Sequence, residues 1–339
     1  MNEILCSIII PYYNIPTEIV NKCLNSILNQ NWGNSNFEVI FINDGSTIPL
    51  DKTTKKIFQE FTNFTLIEQE NRGLSSARNV GIQKAAGKYI FFIDSDDFWI
   101  ENQINHLISI LKKETHDIIK FKTLHIRNNQ LQNCNKFNET LQIIEYSSGN
   151  KYMSSHNVIK GVCTYCFNRQ FILSNNIFMP EGLIHEDEYF LTLAFLKAEK
   201  CIFTNIPLYA YIMRENSITT SKTEEHWEHR FNDFFQIIKM TIKLADYSDS
   251  CNLNNKAINN RLSYLIFDYL YNLFNCPLNK KHQHYYLNLL SSIKLYPLPK
   301  IGNNKRYNLL RLFSKNAISL KMFIKVLFCI RNLLYKKSY

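Results

Sequence analysis

Two aspartates one position apart, Asp94 and Asp96, are the residues best suited to chemistry, and they follow a short apolar run at 88–93. Carboxylates at a strand end can reach one hard cation such as Mg²⁺ or Mn²⁺, which keeps some of its waters and takes further ligands from phosphates. The alternative is a solvated turn in which Asp97 caps the next helix. A D-x-D pattern alone does not decide between the two, because it is common by chance.

A second carboxylate, Asp44, follows an apolar run at 37–42 and precedes Gly45. A carboxylate in that place can accept hydrogen bonds from ribose hydroxyls or a base N–H, as the acidic residue of dinucleotide-binding folds does. The alternative is an Asx-turn, which Asp-Gly favours. The first strand–helix turn, at 11–14, contains no glycine, so neither G-x-G-x-x-G nor a P-loop is predicted there.

The third concentration of acids is His185-Glu186-Asp187-Glu188, which opens a helix after the turn at 180–182. The helix dipole alone favours acids at such a place.

Alternating strands and helices must position these residues. Apolar runs at 4–11, 37–42, 64–68 and 88–93 predict strands, and helical spacing at 17–30, 53–61 and 75–86 predicts the helices between them. This order indicates parallel β-α-β units with a sheet covered on both faces. Ligands bind beyond the carboxyl ends of such strands, a rule that selects the segments 11–14, 71–78 and 94–97 together with Asp44. Further strands are predicted at 117–126, 141–146, 162–168 and 208–213, with a helix at 186–197 and a helical chain from about 224 onward.

Four motifs stand together in one order and spacing: SIIIPYYN at 7–14, NDGST at 43–47, NRGLSSARNVGI at 71–82 and GKYIFFIDSDD at 87–97. The set resembles the family 2 glycosyltransferases. The resemblance implies an α/β GT-A fold, which is a Rossmann-like, mostly parallel sheet with helices on both faces, followed by a C-terminal helical region. It divides the chain into a GT-A domain at 1–220, with a nucleotide-sugar half at about 1–100 and an acceptor half at about 101–220, and a helical region at 221–339.

The resemblance also implies an activity: inverting transfer of a sugar from a nucleotide-sugar, most often a UDP-sugar, with Mn²⁺ or Mg²⁺, to a glycan or lipid-linked glycan in capsule or lipopolysaccharide biosynthesis. Carried over residue by residue, the resemblance implies that the nucleotide-sugar donor is bound by Pro11, Tyr13, Asp44, Asn71, Arg78, Asp94, Ser95, Asp96 and Arg214. Within this set Tyr13 would stack on the base and Arg78 would lie near the base or the phosphates. Asp96 would be the principal metal ligand with Asp94 beside it. Asp187 would be the base and Glu186 its support, and the two could be exchanged.

Other features limit the class of protein. The Q-x-x-R-W signature of processive synthases is missing, and no stretch of about 20 apolar residues could span a bilayer, so a polymerase with its own channel is disfavoured. No signal peptide is predicted, so a cytoplasmic location is expected, and Cys163-x-x-Cys166 is expected to be a pair of reduced thiols. Two alternatives remain: a nucleotidyltransferase on a similar fold, and a non-catalytic membrane-binding or nucleic-acid-binding protein.

The charge of +10 is concentrated at the C-terminal end, because residues 251–339 hold 15 Lys or Arg and one acid. Helical spacing puts Arg311, Lys321, Lys325, Asn332 and Lys336 on one arc, and Leu320, Phe323, Ile324, Leu327, Ile330 and Leu334 on the other. A basic amphipathic helix of this kind lies in anionic membrane interfaces, so a peripheral position on the inner face of the cytoplasmic membrane is expected. The alternatives are packing on the core and nucleic-acid binding, and no nucleic-acid motif supports the latter.

Overall fold

The computed structural model describes residues 3–34, 36–126, 140–156, 159, 161–213, 223–246 and 252–336. The chain divides into two compact units. The first unit comprises Met1–Gly149, Lys160–Gly182 and Glu186–Glu215, and the second comprises Asn150–Ile159, Leu183–His185 and Asn216–Tyr339.

The first unit is built on a nine-stranded sheet with helices along the connections. Its strands are β1 Ile4–Tyr12, β2 Asn36–Asp44, β3 Phe64–Gln69, β4 Tyr89–Phe92, β5 Phe98–Trp99, β6 Ile118–Ile126, β7 Ile143–Tyr146, β8 Tyr165–Asn168 and β9 Cys201–Ile212. The helices are α1 Thr17–Leu28, α2 Lys52–Glu60, α3 Leu74–Lys84, α4 Ile104–Lys113, α5 Gly149–Ser155, α6 Arg169–Ser174 and α7 Glu186–Lys197; α5 runs from this unit into the second.

The half of the sheet ordered β3-β2-β1-β4 is parallel throughout. The apolar runs of the sequence form β1, β2 and β4 because these strands are buried on both faces, and Ile8 to Ile10 of β1 have no exposed surface; the edge strand β3 has no buried residue. Since the strands are parallel, β1, β2 and β4 end at the same edge. This edge carries the motifs at 11–14, 43–47 and 94–97, as the alternation of strands and helices predicts.

The other half of the sheet is mixed. It continues in the order β8-β6-β9-β5, with β7 also on β9; β6 and β9 are parallel, whereas the pairs β4–β8, β8–β6, β9–β5 and β9–β7 are antiparallel. The predicted mostly parallel sheet is therefore confined to the first half. Hydrophobic patterning locates strands but does not fix their direction, which explains the difference.

The second unit is helical, as the sequence predicts from about residue 224. Its helices are α8 Glu224–Asp246, α9 Asn252–Asn275, α10 Lys280–Ser292, α11 Lys305–Leu312 and α12 Ala317–Lys336. The long α9 is the centre, because α8, α10, α11 and α12 all pack on it. Among the described residues, no helix is long and apolar enough to cross a bilayer.

Candidate active site

Asp44 ends β2 and fixes the loop that leads into α3. Its carboxylate is buried and accepts hydrogen bonds from the Gln69 side chain (2.7 Å) and from the backbone N–H groups of Arg72 (3.0 Å) and Gly73 (2.9 Å). Gly45, with φ of +69°, lets the backbone at 45 lie very close to the backbone at Asn71, because a Cβ there would lie 2.6 Å from the Asn71 nitrogen. Asp44 therefore shapes the edge of the site, and its predicted contact with a nucleotide stays a prediction.

The β1 loop presents an aromatic ring at the same edge. Pro11 is buried, whereas Tyr13 exposes 49% of its surface. Asn14 holds the loop with φ of +51°, and its side-chain oxygen accepts from the backbone N–H groups of Thr47 (2.8 Å) and Ile48 (3.1 Å). The exposed ring of Tyr13 is free to take the stacking position that the resemblance implies.

The DSDD turn after β4 gathers three carboxylates. Ligand oxygens of Asp94, Asp96 and Asp97 all lie within 4.8 Å of one another, while Ser95 between them is buried. Three carboxylates this close repel one another unless cations or hydrogen-bond donors offset their charge. Oxygen-only donors in this number are the set that Mg²⁺ and Mn²⁺ prefer, so the chemistry of the cluster fits the predicted divalent cation.

Asp97 does not cap a helix, the alternative that the sequence left open. Its buried carboxylate accepts from the Tyr209 hydroxyl (2.6 Å) and from the backbone N–H of Ile212 (2.8 Å). The same hydroxyl accepts from the backbone N–H of Asp94 (3.3 Å). Burial and then the charge of Asp94 raise the pKa of Asp97 to about 7. Asp97 therefore fastens the acidic turn to the end of β9.

The side chain of Arg78 is buried beneath the DSDD turn and is not exposed at the sheet edge. Its side chain is 4% exposed and donates to Asp94 (2.6 Å) and to Glu186 (2.9 Å). Burial alone would lower the pKa of Arg78, but the charges of Asp94 and Glu186 raise it above its ordinary value, so the group stays a cation. Arg78 joins the DSDD turn to Glu186 at the start of α7, and its expected contact with base or phosphate stays a prediction.

The two acids that begin α7 differ in their surroundings. Glu186 is buried with its carboxylate on Arg78, whereas Asp187 is partly exposed. Burial, and then the neighbouring charge of Asp187, raises the pKa of Glu186 to about 7, although Arg78 opposes the rise. Of the pair, Asp187 is thus the more exposed carboxylate.

This pKa predicts a pH dependence of stability. A carboxyl whose pKa in the folded state lies above its ordinary value of about 4.3 keeps a proton that the unfolded chain releases. The stability that this proton contributes is therefore complete below a pH of about 4.3 and is lost as the pH rises through 7. We expect the free energy of unfolding of the wild type to fall between pH 5 and 7.5 by on the order of 2 kcal/mol more than that of Glu186→Gln. Urea titrations at each pH measure this.

The matched control for this measurement is Glu181→Gln. Glu181 is an exposed carboxylate that pairs with Arg72 at 3.0 Å. In this variant the free energy of unfolding should therefore change with pH as it does in the wild type. Identical slopes for Glu186→Gln and the wild type would contradict the position we assign to Glu186.

Sequence reasoning missed two members of the site. Asp97 was weighed only as a helix cap, although a third acid directly after D-x-D is a visible signal for a larger carboxylate cluster. Tyr209 gave no signal, because it reads as one more aromatic residue of a strand. Arg214, predicted to hold a diphosphate, lies outside the described residues.

A family model described as Glycosyl transferase family 2 matches residues 7–174. The match includes the β1 loop, Asp44, Arg78 and the DSDD turn. The chain belongs to glycosyl transferase family 2. The resemblance read from the four motifs is thereby confirmed.

Curated relatives of this family 2 chain are also named glycosyltransferases. It is 30% identical over 244 residues to glycosyltransferase GlyA of Streptococcus pneumoniae serotype 4, a match that covers 67% of the chain and 33% of GlyA. It is 29% identical over 229 residues to Escherichia coli WfgD, named UDP-Glc:alpha-D-GlcNAc-diphosphoundecaprenol beta-1,3-glucosyltransferase, over 66% of the chain and 83% of WfgD. The chain thus spans a third of the length of GlyA.

Among solved structures, this family 2 chain is similar to S. aureus TarS in complex with UDP-GlcNAc. The TM-score is 0.68 at 19% identity, and the match covers 97% of the chain and 92% of the TarS structure. At that identity the likeness concerns the fold. It confirms the GT-A fold class with a helical C-terminal region.

Proposed function

We propose that the protein is an inverting, metal-dependent glycosyltransferase that moves a sugar from a nucleotide-sugar to a hydroxyl of a glycan or lipid-linked glycan. The observation that carries the proposal is the carboxylate cluster of Asp94, Asp96 and Asp97 at the sheet edge, joined through Arg78 to Glu186 at the start of α7. A cation site and a general base belong to the two halves of such a transfer: departure of a diphosphate and activation of a hydroxyl.

The donor half of the site would lie between the β1 loop and the DSDD turn. Asp96 and Asp94 would hold Mn²⁺ or Mg²⁺, which when bound offsets the charge of a leaving diphosphate as a Lewis acid. Tyr13, with its exposed ring, would stack on the base, and Asn71 and Asp44 would line the nucleoside. The UDP-GlcNAc in TarS and the UDP-Glc in the name of WfgD support a uridine donor.

The acceptor half would use Asp187. The acceptor oxygen forms a bond to the anomeric carbon while the bond from that carbon to the diphosphate oxygen breaks, and the diphosphate leaves with the bonding electrons. The acceptor proton passes to the Asp187 carboxylate. Glu186 is held on Arg78 at 2.9 Å and would position the start of α7, which supports Asp187 rather than Glu186 as the base.

The setting that fits best is the assembly of surface glycans on the inner face of the cytoplasmic membrane. The diphosphoundecaprenol in the name of WfgD supports a lipid-linked acceptor. Within that setting we propose teichoic-acid, capsule or lipopolysaccharide assembly as the pathway, with the transfer of one sugar or a few rather than polymerisation.

A donor screen tests this proposal. We expect turnover of one UDP-sugar, in preference to GDP- and dTDP-sugars, that needs added Mn²⁺ or Mg²⁺ and releases UDP. Release of pyrophosphate from a nucleoside triphosphate would instead establish nucleotidyl transfer, and no turnover of any sugar nucleotide would remove the proposal.

The assignment of the base has its own test. Asp187→Asn should lower kcat for transfer by about 10²- to 10⁴-fold and leave the KM for the donor near its wild-type value, because the amide cannot take the acceptor proton. Glu199→Gln, an exposed acid just beyond the other end of α7, is the matched control and should keep wild-type kcat. A wild-type rate in Asp187→Asn would move the base elsewhere.

A further inference from the structure

Helix α12 has an inner apolar face that packs within the second unit. Leu320 and Ile324 have no exposed surface, and the Phe323 ring stacks on Phe313 at 4.3 Å between centroids. The neighbours of this face are α9 and α11. Leu320, Phe323 and Ile324 belong to the arc that the sequence analysis assigned to a membrane, so that part of the prediction is wrong: these residues pack on the core.

A second set of apolar residues on α12 faces outward. Ile318, Met322, Val326 and Ile330 expose 70%, 65%, 53% and 47% of their surface. They recur every fourth residue, so they lie along one side of the helix. We name these four residues the outer stripe.

Exposed apolar patches of this kind mark interaction surfaces in soluble folds. Lys325 is exposed at one border of the outer stripe, and Lys321 next to it reaches Gln283 at 2.8 Å. The helix therefore presents apolar side chains with lysine beside them, the arrangement of a helix that lies in a membrane interface.

The charge of the surrounding chain selects the partner. Residues 305–337 contain nine Lys or Arg and no acid. A second copy of the chain would bring a like-charged surface against this one, which repulsion disfavours. An anionic leaflet offers both an apolar layer for the stripe and phosphates for the lysines, each basic residue near it contributing to the attraction.

We propose that the outer stripe of α12 inserts into the interfacial layer of an anionic phospholipid bilayer, with Lys321 and Lys325 at the depth of the headgroup phosphates. The inference deepens the proposed function. It rests on that function in one respect: a lipid-linked acceptor would explain why the protein binds a membrane. The membrane-binding surface is thus the side of the helix opposite to the one that packing on α9 and α11 covers.

The test is vesicle flotation with the full chain. Wild-type protein should bind vesicles of equal parts phosphatidylglycerol and phosphatidylcholine at least about tenfold more tightly than phosphatidylcholine alone, and less tightly at high salt because screening weakens the lysine contacts. Met322→Glu with Val326→Glu should weaken binding at least about tenfold, since two inserted side chains become charged. Both positions are exposed, so the melting temperature should stay at the wild-type value.

Ile144→Glu is the matched control, because Ile144 exposes 52% of its surface on β7 of the first unit. It should bind vesicles like the wild type. Unchanged vesicle binding in the Met322/Val326 double variant would overturn the inference. So would a lipid-free wild-type dimer that this double variant converts to monomer, which would show that a second copy covers the stripe.

Turnover of the donor with a water-soluble acceptor is measured on the same preparations to separate the two proposals. Loss of vesicle binding with normal turnover in the double variant supports the inference. Vesicle binding without any sugar transfer by the wild type would leave the inference standing and remove the proposed function.

Discussion

Asp96→Asn is expected to lower sugar transfer by about 10²- to 10³-fold, which corresponds to a loss of several kcal/mol of charge stabilisation. The amide removes one anionic ligand from a cluster whose oxygens lie within 4.8 Å of one another. Mn²⁺ affinity, measured by calorimetry on the same variant, should fall with the rate. Both readouts must move together if Asp96 acts through the cation.

Asp51→Asn is the control for this substitution. Asp51 caps α2 by accepting from the Thr54 N–H at 2.7 Å, and asparagine caps a helix about as well, so rate and Mn²⁺ affinity should keep their wild-type values. A wild-type transfer rate in Asp96→Asn, or full activity after chelation of divalent cations, would contradict the metal site.

Arg78→Met should cost about 3–5 kcal/mol of the free energy of unfolding, the range found when one partner of a buried ion pair is removed. The methionine fills much of the volume but leaves Asp94 and Glu186 facing each other without the cation that both contact. Urea denaturation at pH 7.5, above the raised pKa of Glu186, measures the full effect.

Arg72→Met provides the comparison. Arg72 also pairs with a carboxylate, Glu181 at 3.0 Å, but its side chain is 62% exposed, and exposed pairs contribute about 1 kcal/mol or less. Equal losses in the two variants would mean that Arg78 is an ordinary ion pair and not the shared counter-ion of the site.

The parallel half of the sheet could be predicted because its evidence is local. The buried strands β1, β2 and β4 contain continuous apolar runs that end in turn sequences, so these strands and the edge they share follow from spacing, whereas the edge strand β3 is an exposed run of mixed residues. Boundaries are less secure: the first helix was predicted at 17–30 but ends at Leu28, and at its start the Pro16 carbonyl accepts from the N–H groups of Ile19 and Val20.

Long-range partners could not be predicted. The partner of Arg78 on α7 is 108 positions away along the chain, and spacing says nothing about which side chains meet across such a distance.

The strand β9 extends back to Cys201, although Pro207 argues against a strand interior. The pairing of β9 with β6 shifts register at Pro207 and so accommodates the proline. Likewise, periodicity finds the apolar residues of α12 but does not tell which of them the core covers.

A shared counter-ion has a consequence for how this site can evolve. Because Asp94 and Glu186 both contact the one guanidinium of Arg78, neutralising either acid changes the electrostatic environment of the other. Their free-energy effects are therefore coupled rather than additive. A lineage that alters the acid at 186 would thereby disturb Asp94 and the acidic turn as well, so substitutions at 78, 94 and 186 should arise in concert.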